Sequence, residues 1–324
     1  MAARLYWRNK MDLTIFDKNK RASGYFSGEI DMEIGDSTAS NDFETDDTIF
    51  MGACIAEIGG EFGGIVERYD DGSEKKYTGY TWRGLMDKWL ILPPSGEDRL
   101  TMSGDINGVI RRVLRDVLGD FFVVDDTILG VLVWYYSFPL YCTVLEGLTK
   151  LCEDHGCKLV IRNEVEDKKL KVVVTAKRAE HKTPSESLYD ASVTVSKMGV
   201  NHLLCLGKGE LQERLRTHLY LWPDGTIKQN TPYYTGFEER QAKYENTAEE
   251  DLTELIKGGT ERLKELASFE KMELQSAYVE ADVGDFLKAT KDGMSVEQPV
   301  VRKILSGNNG NYSIEVKIRG ENDE

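Results

Sequence analysis

Four histidines, five cysteines and seven prolines in 324 residues leave little material for several common chemistries. The cysteines, at 54, 142, 152, 157 and 205, are odd in number and scattered, which excludes a disulfide framework. No His-Glu-x-x-His, Walker-type glycine-lysine loop or Gly-x-Ser-x-Gly is present. Basic charge is also short: the net charge is −15, so no general cationic surface exists to grip a phosphate backbone. The first ten residues contain no apolar run of the signal-peptide kind. Residues 127–145 carry no charge for 19 positions, but Gly130, Ser137 and Pro139 interrupt them. Trp134, Tyr135 and Tyr136 stand mid-segment, not at its ends. We read a buried strand, a proline-marked corner and a helix start there, and no membrane insertion.

What the chain has in excess is locally concentrated acid. Between Glu29 and Asp71 there are thirteen carboxylates and one base, Arg68, a net of −12. Asp42, Glu44, Asp46 and Asp47 carry hard oxygen ligands at close spacing, yet no Asp-x-Asp-x-Asp-Gly loop with a closing glutamate accompanies them. Cys152, His155 and Cys157 lack a second ligand pair, so neither zinc nor any other metal or cofactor is expected. Gly207-Lys208-Gly209 is followed by Gln212 where the dinucleotide pattern needs glycine. The two Ser-x-x-Lys matches, at Ser73 and Ser268, have no companion motifs. No catalytic residue is assigned.

The pattern along the chain is β, then α/β, then β. Short strands are expected at 13–16, 24–34 and 48–58, followed by a hairpin turning at Asp71-Gly72. Ile106, Val109, Ile110, Val113, Leu114, Val117 and Leu118 make a helical stripe, capped by Ser103 or Asp105 and stopped at Gly119. A second helix carries Val144, Leu145, Leu148, Leu151 and Cys152 and stops at Gly156, followed by strands at 158–162 and 170–175. Strands resume at 192–196, 202–206 and 211–222, with a turn at Pro223-Asp224-Gly225. Thr247 and Glu250 suggest a capping box for a third helix, weakened or kinked at Gly258-Gly259. Closing strands are expected at 273–279, 300–305 and 312–318, the last two joined by a loose loop.

Three stretches carry a resemblance. They are Gly64 to Arg68 (GIVER) followed by Tyr80 to Pro94 (YTWRGLMDKWLILPP), Asn201 to Tyr220 (NHLLCLGKGELQERLRTHLY), and Val283 to Phe286 (VGDF) with the hairpin after it. Together they resemble the tail-hub proteins of long-tailed phages and prophages, the structural part of the tail-associated lysin. The resemblance implies an α+β, mainly β, baseplate-hub-like fold: two β-barrel-like tube domains, an α/β insert and an additional helix. The corresponding division is 1–95 for the first tube domain and 96–182 for the insert. The second tube domain is 183–324, with a helical insertion at about 233–269. The family implies a homotrimer at the tail tip, with the distal tail protein, tail tube and tape-measure protein as partners. DNA would pass in transit without specific binding. The protein would be made in the host cytoplasm and end in the virion tail tip. Because the chain ends at Glu324 after the hairpin, an appended hydrolase is not expected. The alternative is a tail-tip enzyme or carbohydrate-binding module acting on the host envelope. From the charge arithmetic, Glu29, Asp31, Glu33, Asp42, Glu44, Asp46 and Asp47 are the candidate acidic lining of a channel.

Overall fold

A computed structural model describes residues 11–72, 75–118, 121–183, 190–195, 199–223, 226–267, 270–275, 280–291 and 294–319. The chain divides into two compact units, one of residues 1–191 with 274–319 and one of residues 192–273 with 320–324.

The first unit opens with β1 (Leu13–Phe16), β2 (Ala22–Tyr25), β3 (Ile30–Gly35), β4 (Asp42–Thr45), β5 (Cys54–Glu57), β6 (Gly63–Asp71) and β7 (Lys75–Thr81). A short helix, α1 (Trp82–Met86), follows, its start capped by the Thr81 hydroxyl. Then come β8 (Thr101–Asp105), α2 (Ile106–Leu118), β9 (Phe122–Val124), β10 (Leu132–Ser137), α3 (Val144–Asp154), β11 (Cys157–Glu166), β12 (Lys169–Arg178) and β13 (His181–Lys182). After β14 (Asp190–Val195) the second unit holds β15 (His202–Leu206), β16 (Arg216–Leu221), β17 (Ile227–Gln229), β18 (Gln241–Glu245) and α4 (Leu252–Leu266). β19 (Glu270–Gln275) pairs with β14, and β20 (Phe286–Lys291), β21 (Met294–Asn308) and β22 (Asn311–Ile318) close the chain.

Eleven strands of the first unit form one sheet, in the order β13-β20-β21-β3-β4-β7-β6-β5-β1-β2 with β22 on β21. It curls into a half-barrel, with β13 and β2 at its ends. Alternation decides which side faces in: Ile30, Met32 and Ile34 of β3 and Phe43 of β4 are buried with Leu13, Ile55, Val66 and Leu305. A second core lies between the sheet and the insert. The α2 stripe and the α3 stripe pack with β11 and β12 and with Phe16, Cys54, Ala56, Trp82 and Met86 of the first block. Buried polar groups join the same two layers: Trp82 Nε1 donates to Asn163 Oδ1 at 2.6 Å, and the Arg83 guanidinium reaches Glu61 and the Leu159 carbonyl. The insert expected at 96–182 thus shares a core with the first block. Residues expected in the second tube domain fall in both units, because β21 pairs with β3 (Leu305 opposite Met32).

The second unit is the four-stranded sheet β17-β16-β15-β18, with β18 parallel to β15. Leu255 and Leu263 of α4 pack on Leu203, Cys205, Leu219 and Leu221.

Several local expectations are corrected. The third helix starts at Leu252 and not at Thr247, because the Asp251 carboxylate caps it by accepting from Thr253 N at 2.6 Å. It runs unbroken through Gly258 and Gly259, whose missing Cβ atoms allow close approach: one at Gly259 would stand 2.4 Å from Cys205 Sγ. β10 is not buried, since Trp134 is 72% and Tyr135 80% exposed. Its one partner among the described strands is β8, so Val133 is covered, Tyr136 is half-buried against the core, and the other side chains stand open. The loop between β21 and β22 is tight, not loose. Asn309 and Gly310 both take positive φ, of 50° and 75°, the two-residue turn that Asn-Gly favours. Residues 211–215, expected in a strand, instead begin with a 3-10 turn at Leu211–Glu213. β20 was not anticipated. For α2, Asp105 accepts from Asn107 N at 3.1 Å as its cap. The stop at Gly119, the turn at Asp224 and Gly225, and residues 276–279 lie outside the described residues.

Candidate functional site: an acidic sheet face

The same alternation that buries Ile30, Met32 and Phe43 turns Asp31, Glu33, Asp42 and Glu44 to the opposite face of the large sheet. Asp31 stands directly across from Glu44 in the β3–β4 register. Glu33 pairs across β3–β21 with Ile304, which in turn pairs with Glu315 of β22, so a fifth carboxylate joins the face. The Asp31 carboxyl is pushed above the usual range by burial, then by the charges of Glu44, Glu33, Asp42 and Glu315.

Three cations temper the face. Lys76 Nζ lies 3.2 Å from Glu44, Arg302 Nε lies 3.4 Å from Glu33, and Lys317 Nζ lies 3.7 Å from Glu315. Glu33 also accepts from Ser40 N at 2.7 Å. The other three candidates are placed differently. Glu29 precedes β3, and its backbone N–H donates to Asp46 Oδ1 at 3.1 Å. Asp47 accepts from Thr48 N at 2.8 Å, so Asp46 and Asp47 fasten the turn after β4 instead of extending the strand rows. The structure therefore brings together Asp31, Glu33, Asp42 and Glu44. It adds Glu315, which the sequence reading missed because nothing local marks the pairing of β21 with β3.

Among the described residues no group of three or more His, Cys, Asp or Glu is disposed to hold a metal ion. Such a face acts by potential: where carboxylates outnumber the cations beside them, five to three here, polyanions are repelled, and salt weakens the effect.

The remaining candidates are tied into the fold. Burial pushes the thiols of Cys54, Cys142, Cys152, Cys157 and Cys205 up, Cys142 and Cys205 to about 11, which keeps them from acting as thiolates at neutral pH. His155 ends α3 with Nδ1 2.8 Å from the Leu151 carbonyl. His181 stacks on Phe286 at 4.9 Å and bonds Glu297. His202 and His218 bond each other at 2.8 Å. Among the described residues no helix is long and apolar enough to cross a membrane.

No protein-family model matches the sequence, and no curated protein is significantly similar to it. Solved structures are similar in fold. A 43 kDa tail protein of prophage MuSo2 from Shewanella oneidensis superposes with a TM-score of 0.53 at 12% identity, over 95% of this chain and 98% of that one. A tail protein from Neisseria meningitidis MC58 gives 0.50 at 11% identity, over 95% of both chains. A chain of the phage P2 baseplate in its activated conformation with Ca gives 0.50 at 6% identity, over 97% of this chain and all of that one. The chain has a mainly β, baseplate-hub-like fold of the kind seen in these phage tail proteins.

Proposed function

We propose that this chain is a structural protein of a phage or prophage tail that forms a trimeric hub at the tail tip. The observation that carries the reading is the likeness to the MuSo2 tail protein, which spans 95% of this chain and 98% of that one. In this reading the hub joins the tail tube and distal tail protein to the tip, and the tape-measure protein and then DNA pass through its centre. The protein is made in the host cytoplasm and carried at the virion tail tip. The tube domains expected at 1–95 and 183–324 are the parts that build the ring, and the insert at 96–182 braces it.

The acidic face supports a transit role. Asp31, Glu33, Asp42 and Glu44, with Glu315, would line the passage, and Glu29, Asp46 and Asp47 would extend its rim. Phosphates are held by cations that release condensed counterions, and a carboxylate wall offers the reverse, so DNA slides past without sticking. Raised thiol pKa values and histidines engaged in internal hydrogen bonds favour a scaffold over a catalyst.

Light scattering over a concentration series, with negative-stain imaging, tests the reading. Three chains of 36.7 kDa give a ring of about 110 kDa with a central hole, formed alone or with the distal tail protein. A strict monomer under both conditions, or hydrolysis of cell-wall material by the pure chain, would overturn it.

A further inference from the structure

The open face of the small sheet holds a hydrogen-bonded row that the tail role does not use. Alternation puts Leu203, Cys205, Leu219 and Leu221 against α4, and therefore His202, His218 and Tyr220 on the other side. Glu239 Oε1 lies 2.6 Å from His202 Nδ1, and His202 Nε2 lies 2.8 Å from His218 Nδ1. Tyr220 stacks on the His202 ring at 4.2 Å, which fixes the plane in which both bonds form. His202 is buried, and Glu239 is the far end of the row, on the loop of residues 230–240 that joins β17 to β18.

That loop is fastened to β15 at one place. Asn201 Nδ2 donates to the Glu238 carbonyl at 2.8 Å, and Arg240 N donates to Asn201 Oδ1 at 2.8 Å. The backbone N–H groups of Asn201 and His202 both donate to the Arg240 carbonyl at 3.0 Å. The Glu239–His202 bond sits in the middle of this set and is its titratable member. The loop carries Tyr233 and Phe237 exposed to solvent.

We propose that Glu239, His202 and His218 form an acid-sensitive latch that holds the 230–240 loop on the small sheet at neutral pH and releases it on acidification. The proton count is the reason. With Glu239 ionised and both rings neutral, His202 Nδ1–H donates to Glu239, His218 Nδ1–H donates to His202 Nε2, and every contact is satisfied. One added proton is accommodated on the outward Nε2 of His218 without loss of either bond. A second cannot be, because His202 Nε2–H would then face His218 Nδ1–H, placing two donors and two positive rings at hydrogen-bond distance. The repulsion drives the two rings apart and pulls His202 out of line with Glu239, which undoes the fastening.

The surroundings push the same way. Arg216 lies on β16 two residues from His218, and Lys228 of β17 stands opposite Tyr220. On β18, Gln241 stands opposite His202, and Lys243 stands opposite Leu204, in the row of His218. Arg240 and Glu238 flank Glu239 on the loop itself. Burial, His202 and Arg216 hold the His218 ring below the usual imidazole value, with Glu239 opposing. A depressed imidazole means that the open or unfolded state takes up its proton first. The closed latch therefore loses stability as pH falls through the ordinary imidazole range, and the loss from this group ends once His218 is protonated in the closed state too.

Hydrogen exchange on the full chain between pH 7.5 and 5, corrected for intrinsic rates, tests the latch. The Asn201, His202 and Arg240 amides should exchange at least tenfold faster at the lower pH. His218→Gln keeps a donor for His202 Nε2 but takes up no proton, so its amides should stay protected at pH 5. Equal acceleration in both proteins, or none in either, would overturn the proposal. Should the variant fail to fold, imidazole titration of the wild type by NMR decides: two apparent values separated by more than about one unit support the coupled row. Independent titrations of both rings near 6.5 sink it.

Discussion

Asp285 is the point at which three segments of the first unit are tied, and replacing it with asparagine gives a quantitative test of the packing described above. Its side chain is 0% exposed and that of Lys158 on β11 is 3% exposed, with Lys158 Nζ 2.8 Å from Asp285 Oδ2. The same carboxylate accepts from Glu180 N and Asp282 N at 2.9 Å each, and Lys182 Nζ lies 3.4 Å away. Asparagine can keep the Glu180 N contact through Oδ1, but in place of Oδ2 it turns an NH2 toward both Asp282 N and the lysine, and it removes the charge. Breaking one side of a buried ion pair costs about 3–5 kcal/mol. Lys158 retains Asp282 at 2.9 Å, which trims the expectation to about 2–4 kcal/mol. In a unit of this size that corresponds to a fall in Tm of about 5–12 °C. Urea unfolding in a Trp222→Phe background, which removes the tryptophan of the second unit, lets buried Trp82 report the first. Lys158→Met alone should cost a similar amount, and the double variant less than the sum, with a coupling of about 1 kcal/mol or more. Asp285→Asn within about 0.5 kcal/mol of wild type, or strict additivity, would refute the pinning argument.

Further predictions follow from single contacts. Burial works against the Asp282 charge, but the Lys158 hydrogen bond and the charges of Lys303, Lys158 and Lys182 outweigh it and hold the carboxyl below its ordinary 3.8. Its stabilising contribution is therefore full above that value and lost as pH falls through the depressed one, so Asp282→Asn should flatten the acid limb of a stability–pH curve below about pH 4. Asp31 has the opposite sign: its raised pKa means that ionisation weakens the folded state as pH rises. Asp31→Asn should stabilise the chain at pH 7 by about 0.2–1 kcal/mol in low salt, and less in high salt, read by urea titration. On α4, Gly259→Ala should cost about 1–3 kcal/mol, because the new Cβ meets Cys205 Sγ at 2.4 Å inside the core. Gly258→Ala meets the hydroxyl end of the Tyr244 ring, the tip of a long side chain that can swing away, and should come within about 1 kcal/mol of wild type through the helix propensity of alanine.

The periodicities were sufficient for the two helices of the insert. The apolar spacing from Ile106 to Leu114 and from Val144 to Cys152 marked two helices whose stripes are buried as read. Alternation in residues 30–34 and 42–45 sets the acids on one face and the apolar residues on the other, but the acids were chosen by charge alone and no strand was expected at 42–45. Local capping was less legible, because Thr247 and Asp251 both offer a cap and only the geometry at Thr253 N chose between them. Strand partners were not legible at all. β21 lies opposite β3 across some 270 residues of chain, and that pairing brings Glu315 to the acidic face and the closing strands into the first sheet. Likewise, the core that joins the insert to Phe16, Cys54 and Trp82 exists only once the layers meet. A side-chain pattern encodes which face must avoid water. Which distant face covers it is settled by shape, register and the buried polar groups that must find partners, and those exist only in three dimensions.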